Sequence, residues 1–235
     1  MGSEMCIRDS NVTSDDNIVN TNWTVEAGGT LNMEAGELRN GLDIAGEVNI
    51  SGGGTGLSNT GQYDVESGGV LNVSGGILGS SSLNIQSGGV MNHSGGDLGF
   101  NTDVEDGGVL NISGGTVGAD QFATGDIDVD AGGTVNFRGN EFFIDGAAIA
   151  GLTAGGPPVV IAAADRGVLT GTLLDNSPVG SNLINAAEGI NLTAGGGDNF
   201  NAASIITVSI PLVGDINGDG LVSFADLSGF LALLT

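Results

Sequence analysis

The sequence predicts an all-β protein, a right-handed parallel β-helix (β-solenoid) of about six turns with a β-rich C-terminal cap and a short loop–helix tail. Three observations carry this expectation. A segment of about twenty residues recurs six times between positions 22 and 143. Inside each copy, apolar and polar residues alternate, as they do on a strand with one buried face. Paired glycines stand at a fixed place in most copies, where a solenoid turns its corner. Intervals of about twenty residues are too short for helical-pair repeats and suit one β-solenoid turn.

The copies are NWTVEAGGTLNMEAGEL from Asn22, GLDIAGEVNISGGGTGL from Gly41, QYDVESGGVLNVSGGIL from Gln62, SLNIQSGGVMNHSGGDL from Ser82, NTDVEDGGVLNISGGTV from Asn101 and DIDVDAGGTVNFRGNEF from Asp126. Their shared asparagines, Asn32, Asn49, Asn72, Asn92, Asn111 and Asn136, are separated by steps of 17, 23, 20, 19 and 25 residues. The alternation sorts the inward residues into columns. Trp23, Leu42, Tyr63, Leu83, Thr102 and Ile127 make the first, and Val25, Ile44, Val65, Ile85, Val104 and Val129 the second. After the glycines follow Leu31, Val48, Leu71, Met91, Leu110 and Val135, then Met33, Ile50, Val73, His93, Ile112 and Phe137. A last strand contributes Leu38, Leu57, Leu78, Leu98, Val117 and Phe142. Stacked at the strand spacing of roughly 4.8 Å, these columns make a narrow core that no single copy could bury alone. Through the recurring GGVLNVSGG, residues 22–143 resemble secreted bacterial β-solenoids of the autotransporter-associated strand-repeat kind.

Composition bounds the function. The 235 residues carry 28 Asp and Glu against 4 basic residues, a net charge of −24. That excess argues against nucleic acid, anionic membrane surfaces and polyanionic substrates, which require clusters of basic side chains. With 40% hydrophobic residues the chain is too apolar for an acidic disordered tail. The opening MGSEMCIRDS, residues 1–10, lacks the basic and apolar regions of a signal peptide and reads as a non-native leader resembling a translated sequencing adapter. It holds Cys6, the one cysteine, so the remainder has no disulfide or cysteine chemistry.

Residues 11–145 are assigned to the solenoid and residues 146–212 to the cap, where VVIAAAD, GVLTGTLL and ASIITVSI read as strands. The uncharged stretch 146–164 contains Pro157 and Pro158 and is too rich in Gly and Ala for a transmembrane segment.

Outward positions also form columns. Asp43, Asp64, Asp103 and Asp128 share one with Thr24 and Asn84; Glu26, Glu66, Glu105 and Asp130 share the next with Gln86. They read as a solvated acidic face, with divalent-cation binding between turns as the alternative, and the neutral Asn84 and Gln86 relieve the repulsion. The asparagines, with Ser51, Ser74, Ser94 and Ser113 beside them, read as a hydrogen-bonded ladder. The alternative is a flat polar array for ice or a glycan. His93 falls at a core position without a second histidine and reads as a tolerated core substitution. Catalysis is not expected: two carboxylates at a glycosidase separation carry little information among 28 acids, and sugar platforms are scarce, with one Trp and one Tyr.

The sharpest chemical pattern is DINGDGLVSFAD, residues 215–226. Asp215, Asn217, Asp219, Ser223 and Asp226 place side-chain oxygens at loop positions 1, 3, 5, 9 and 12, Gly220 takes the sharp turn, and Leu221 offers its carbonyl. That donor set wraps one Ca²⁺, which takes six to eight hard oxygen ligands. Residues 214–235 resemble one half of a type I dockerin, departing from it at Phe224 and Ala225 and in lacking a second loop. The resemblance implies a cohesin-like or cell-surface partner. The apolar stripe Leu227, Phe230, Leu231 and Leu234 follows at helical spacing. The expected protein is therefore an extracellular or cell-surface structural or adhesive solenoid attached through this loop. The rival is a part, catalytic or not, of a polysaccharide-degrading protein targeted by the same motif, which keeps carbohydrate as a partner class.

Overall fold

The computed structural model describes residues 5–12, 17–18, 23–35, 37–38, 41–52, 54–55, 61–78, 82–98, 101–117, 127–179, 189–193 and 199–212. The described chain is an all-β parallel β-solenoid. Its regular part makes about four turns, fewer than the six expected. These turns open on Gln62–Val65, Ser82–Ile85, Thr102–Val104 and Ile127–Val129. Each leads into a long strand: Val70–Leu78, Val90–Leu98, Val109–Val117 or Thr134–Ile144.

The two preceding repeats keep the register but follow a different path. Trp23–Met33 runs as one strand through its glycines, and the next repeat is divided into Leu42–Ile44, Glu47–Ile50 and Gly54–Thr55. That repeat has only Ala45 and Gly46 between its first two strands, a shorter corner that helps bring its asparagine only 17 residues after Asn32.

The parallel registers reproduce four of the inward columns residue for residue. Trp23 pairs with Leu42, Leu42 with Tyr63, Tyr63 with Leu83, Leu83 with Thr102 and Thr102 with Ile127. Leu31, Val48, Leu71, Met91, Leu110 and Val135 follow suit and are all buried. Each Leu, Ile, Val or Met removed from water in this way contributes about 1.5–3 kcal/mol, before the entropy of ordering is subtracted.

The last column needs correction. Thr55, not Leu57, takes the level between Leu38 and Leu78, and Leu57 lies outside the described residues. Phe142 is buried in the core but does not stack on Val117. Beyond Arg138 its strand leaves the parallel ladder and pairs antiparallel with Val168–Leu173. Gly139 permits this crossing, because a Cβ there would lie 2.2 Å from the Thr172 carbonyl oxygen.

Both ends carry further strands in the same register. Met5–Val12 pairs in parallel with Trp23–Met33. Far along the chain, Asn199–Phe200 stacks on Asp128 and Val129, and Ile205–Ser209 stacks on residues 134–138. Part of the stretch assigned to the cap thus forms another solenoid level, with Phe200, Ile206 and Val208 buried in the core columns. Its corner is built differently. The sequence Asn-Ala-Ala-Ser replaces the glycine pair, and the Arg166 guanidinium donates 2.7 Å hydrogen bonds to the carbonyl oxygens of Asn201 and Ser204. Burial holds the Arg166 pKa below its ordinary value. Val159–Val160 then pairs antiparallel with Ile205–Ser209 and covers part of its outer edge. Among the described residues no helix is long and apolar enough to cross a membrane.

Candidate functional site

The outward face that follows the glycine corner is organised around amide side chains. Strand alternation points the asparagines away from the core, and the parallel register sets each beside its counterpart in the next turn. Each Nδ2 then donates to the Oδ1 one level earlier: Asn49 to Asn32 at 2.9 Å, and Asn72 to Asn49, Asn92 to Asn72, Asn111 to Asn92 and Asn136 to Asn111 at 2.8 Å. All donors point the same way, so the amide dipoles add along the axis.

The ladder is longer than the repeats foretold. Asn32 donates to Asn11 at 2.8 Å, and the Thr207 hydroxyl donates to Asn136 at 2.6 Å. The signal at Asn11 is its place between Ser10 and Val12, matching Leu31-Asn32-Met33. At Thr207 it is only the flanking pair Ile206 and Val208. The neighbouring serines are tied to the preceding turn: Ser51 donates to the Met33 carbonyl, Ser74 to that of Ile50 and Ser94 to that of Val73.

The first acidic column stacks as expected. Asp43, Asp64, Asn84, Asp103 and Asp128 are adjacent in register, and Asn199 extends the row. Asn84 Nδ2 donates to Asp64 at 2.9 Å, and Gln62 donates to the same oxygen at 3.1 Å. A neutral amide inside the column therefore replaces a repulsive pair by a charge-assisted hydrogen bond. Burial, then the charges of Asp130 and Glu105 in the neighbouring column, raise the Asp103 pKa above its ordinary value. Among the described residues no group of three or more His, Cys, Asp or Glu side chains is arranged to hold a metal ion.

His93 does face the core, with 0% exposure. Its Nε2 lies 3.2 Å from the Thr116 carbonyl oxygen and donates to it, while the buried Nδ1 has no partner among the described residues. Burial lowers its pKa to about 4, against a smaller opposing pull from the Thr116 carbonyl and the Asp175 carboxylate. Asp175 comes from a turn over Gly114 and Gly115, a juxtaposition without any local sequence signal. It accepts hydrogen bonds from the backbone of Gly115 at 2.6 Å and of Ser177 at 2.9 Å, and from the Ser177 hydroxyl. Burial pushes the Asp175 carboxyl up, but the hydrogen bonds from Ser177 and Gly115 outweigh it and hold its pKa below the ordinary value.

These facts set the sign of an acid response. A histidine kept neutral by the fold contributes stability in full above pH 6.5, and loses it as the pH falls through about 4. The span corresponds to roughly 3 kcal/mol. His93→Ile, which matches Ile112 at the next level, should remove this loss. Asp103 and Asp175 titrate in both proteins, so the difference between their urea-unfolding profiles at pH 7 and pH 4 isolates the histidine. Parallel profiles would refute the assignment.

Asp215, Asn217, Asp219, Leu221, Ser223 and Asp226, together with the stripe from Leu227 to Leu234, lie outside the described residues. The fold and its ladders define a class, that of parallel β-solenoid repeat proteins. No family model, curated protein or solved structure matches the chain.

Proposed function

We propose that this chain is a secreted or cell-surface β-solenoid with a structural or adhesive role, attached to a cohesin-like or other surface partner through its C-terminal calcium loop. The observation that supports this reading is the axial use of the outward amides. From Asn11 to Thr207 each rung spends one donor or acceptor on the next, which makes the stack a continuous rod. In this reading residues 213–235 are the attachment module, and the acidic columns keep a long β surface soluble.

The calcium assignment rests on its donor set. Asp215, Asn217, Asp219, Ser223 and Asp226 would supply side-chain oxygens and Leu221 a carbonyl. Calorimetry should show one calcium-binding event for the intact protein, absent in Asp215→Ala. Unchanged binding in the variant would overturn the loop assignment. Sustained release of reducing ends from neutral polysaccharides by the same preparation would overturn the structural reading in favour of a polysaccharide-degrading protein.

A further inference from the structure

A groove of about 520 Å³ lies along the last rungs of the amide ladder. Asn92, Asn111, Asn136 and Thr207 line it, with Arg138 and the apolar side chain of Leu174 beside them. Among the described residues no Asp or Glu lines it, although the chain carries 28 of them.

Arg138 is the one basic residue in its row. The residue that follows the core column running from Met33 to Phe137 and Val208 is glutamate at Glu34, serine at Ser51, Ser74, Ser94, Ser113 and Ser209, and arginine at 138. Three of those serines bond to the turn before them, so serine serves the stack and arginine does not. Among the described residues no hydrogen bond or ion pair engages the Arg138 side chain, whereas Arg166 is committed to two carbonyls. The nearby Asp175 is occupied by Gly115 and Ser177.

The ladder itself displays what a rung can hold. Asn72 uses one N–H for Asn49 and gives the other to a carboxylate oxygen of Glu47, at 3.2 Å. Among the described residues the second N–H of Asn92, Asn111 and Asn136 is not taken in this way. We propose that the groove binds an oligosaccharide bearing an isolated carboxylate, which pairs with the Arg138 guanidinium and the free amide N–H groups of the rungs beside it. A guanidinium and a carboxylate match in a two-pronged hydrogen-bonded geometry. Amide and hydroxyl side chains on the floor both donate and accept, as sugar hydroxyls require. Leu174 offers apolar surface for the C–H face of a ring. A peptide would seek a free strand edge, whereas this floor is made of side chains over backbone already paired in the ladder. A lone carboxylate also escapes the repulsion that a net charge of −24 imposes on polyanions. This site stands apart from the attachment reading above.

The test titrates the full chain with two pairs of probes, sialyllactose against lactose and glucuronic-acid-substituted xylotriose against xylotriose, with an N-acetylated tetrapeptide carrying a free C-terminus as the third arm. At least one carboxylated sugar should bind about tenfold more tightly than its neutral parent. Arg138→Ser, which restores the residue found along the row, and Arg138→Gln should abolish that preference with an unchanged unfolding midpoint. Absence of binding by both carboxylated sugars, equal binding of the neutral parents, persistence of the preference in the variants, or equally tight binding of the peptide would each overturn the proposal.

Discussion

Gly69→Ala is expected to destabilise the solenoid by about 3 kcal/mol or more, whereas Gly68→Ala, one residue earlier, costs about 1 kcal/mol. The two glycines of the corner are needed for different reasons. Gly68 has a left-handed backbone, with φ of +84°, and nothing lies within 4 Å of an added Cβ, so alanine there meets only the conformational penalty. Gly69 has an ordinary φ, but its Cβ would stand 1.9 Å from the Ile44 carbonyl oxygen of the previous turn. That oxygen accepts the Glu66 N–H at 2.9 Å and cannot withdraw without breaking a rung of the backbone ladder. The same approach recurs at Gly89 against Val65 and at Gly108 against Ile85, each at 2.3 Å. Urea-unfolding midpoints of the two single variants decide the matter: equal losses would mean that the corner does not depend on the close approach of successive turns.

The second large effect concerns the amide ladder. Asn111 donates to Asn92 and accepts from Asn136, both at 2.8 Å. Asn111→Ala removes both bonds and leaves a half-buried acceptor on one side and a donor on the other. At about 1 kcal/mol for each bond, the expected loss is about 2 kcal/mol. Asn11→Ala, at the exposed end of the ladder, forfeits one bond near water and should cost about 0.5 kcal/mol. A ladder that only decorates the surface would make the two variants alike, and thermal unfolding distinguishes these outcomes.

What could be read from the sequence follows the reach of a period-two pattern. Alternation is local, so it identified the inward columns through Val25 and Leu31 and placed the asparagines outward. It located His93 in the core for the same reason. It slipped at Leu57, where the glycine-rich stretch 52–56 offers no alternation to count and the register, not the spacing of leucines, puts Thr55 between Leu38 and Leu78. It also carried Phe142 one level too far, because nothing local marks the point after Arg138 where a strand changes partner from parallel to antiparallel.

Contacts formed by long returns of the chain were not legible. Thr207 reaches Asn136 across 71 residues, and Gly115 finds Asp175 across 60. The corner at Asn201 was hidden as well, since it has no glycine pair and is held by Arg166, which donates to the carbonyls of Asn201 and Ser204. Arg138 was visible as one of four Arg and Lys residues, but its place among amides and hydroxyls emerged only from the groove.

The outward amides hold one turn to the next. A double-mutant cycle on Asn92 and Asn111, with Asn92→Ala, Asn111→Ala and the double variant unfolded in urea, tests it most directly. Because the two side chains share a 2.8 Å hydrogen bond, a coupling of about 1 kcal/mol is expected, the double variant losing less than the sum of the single ones. Strict additivity, with each single variant nearly as stable as the wild type, would contradict it.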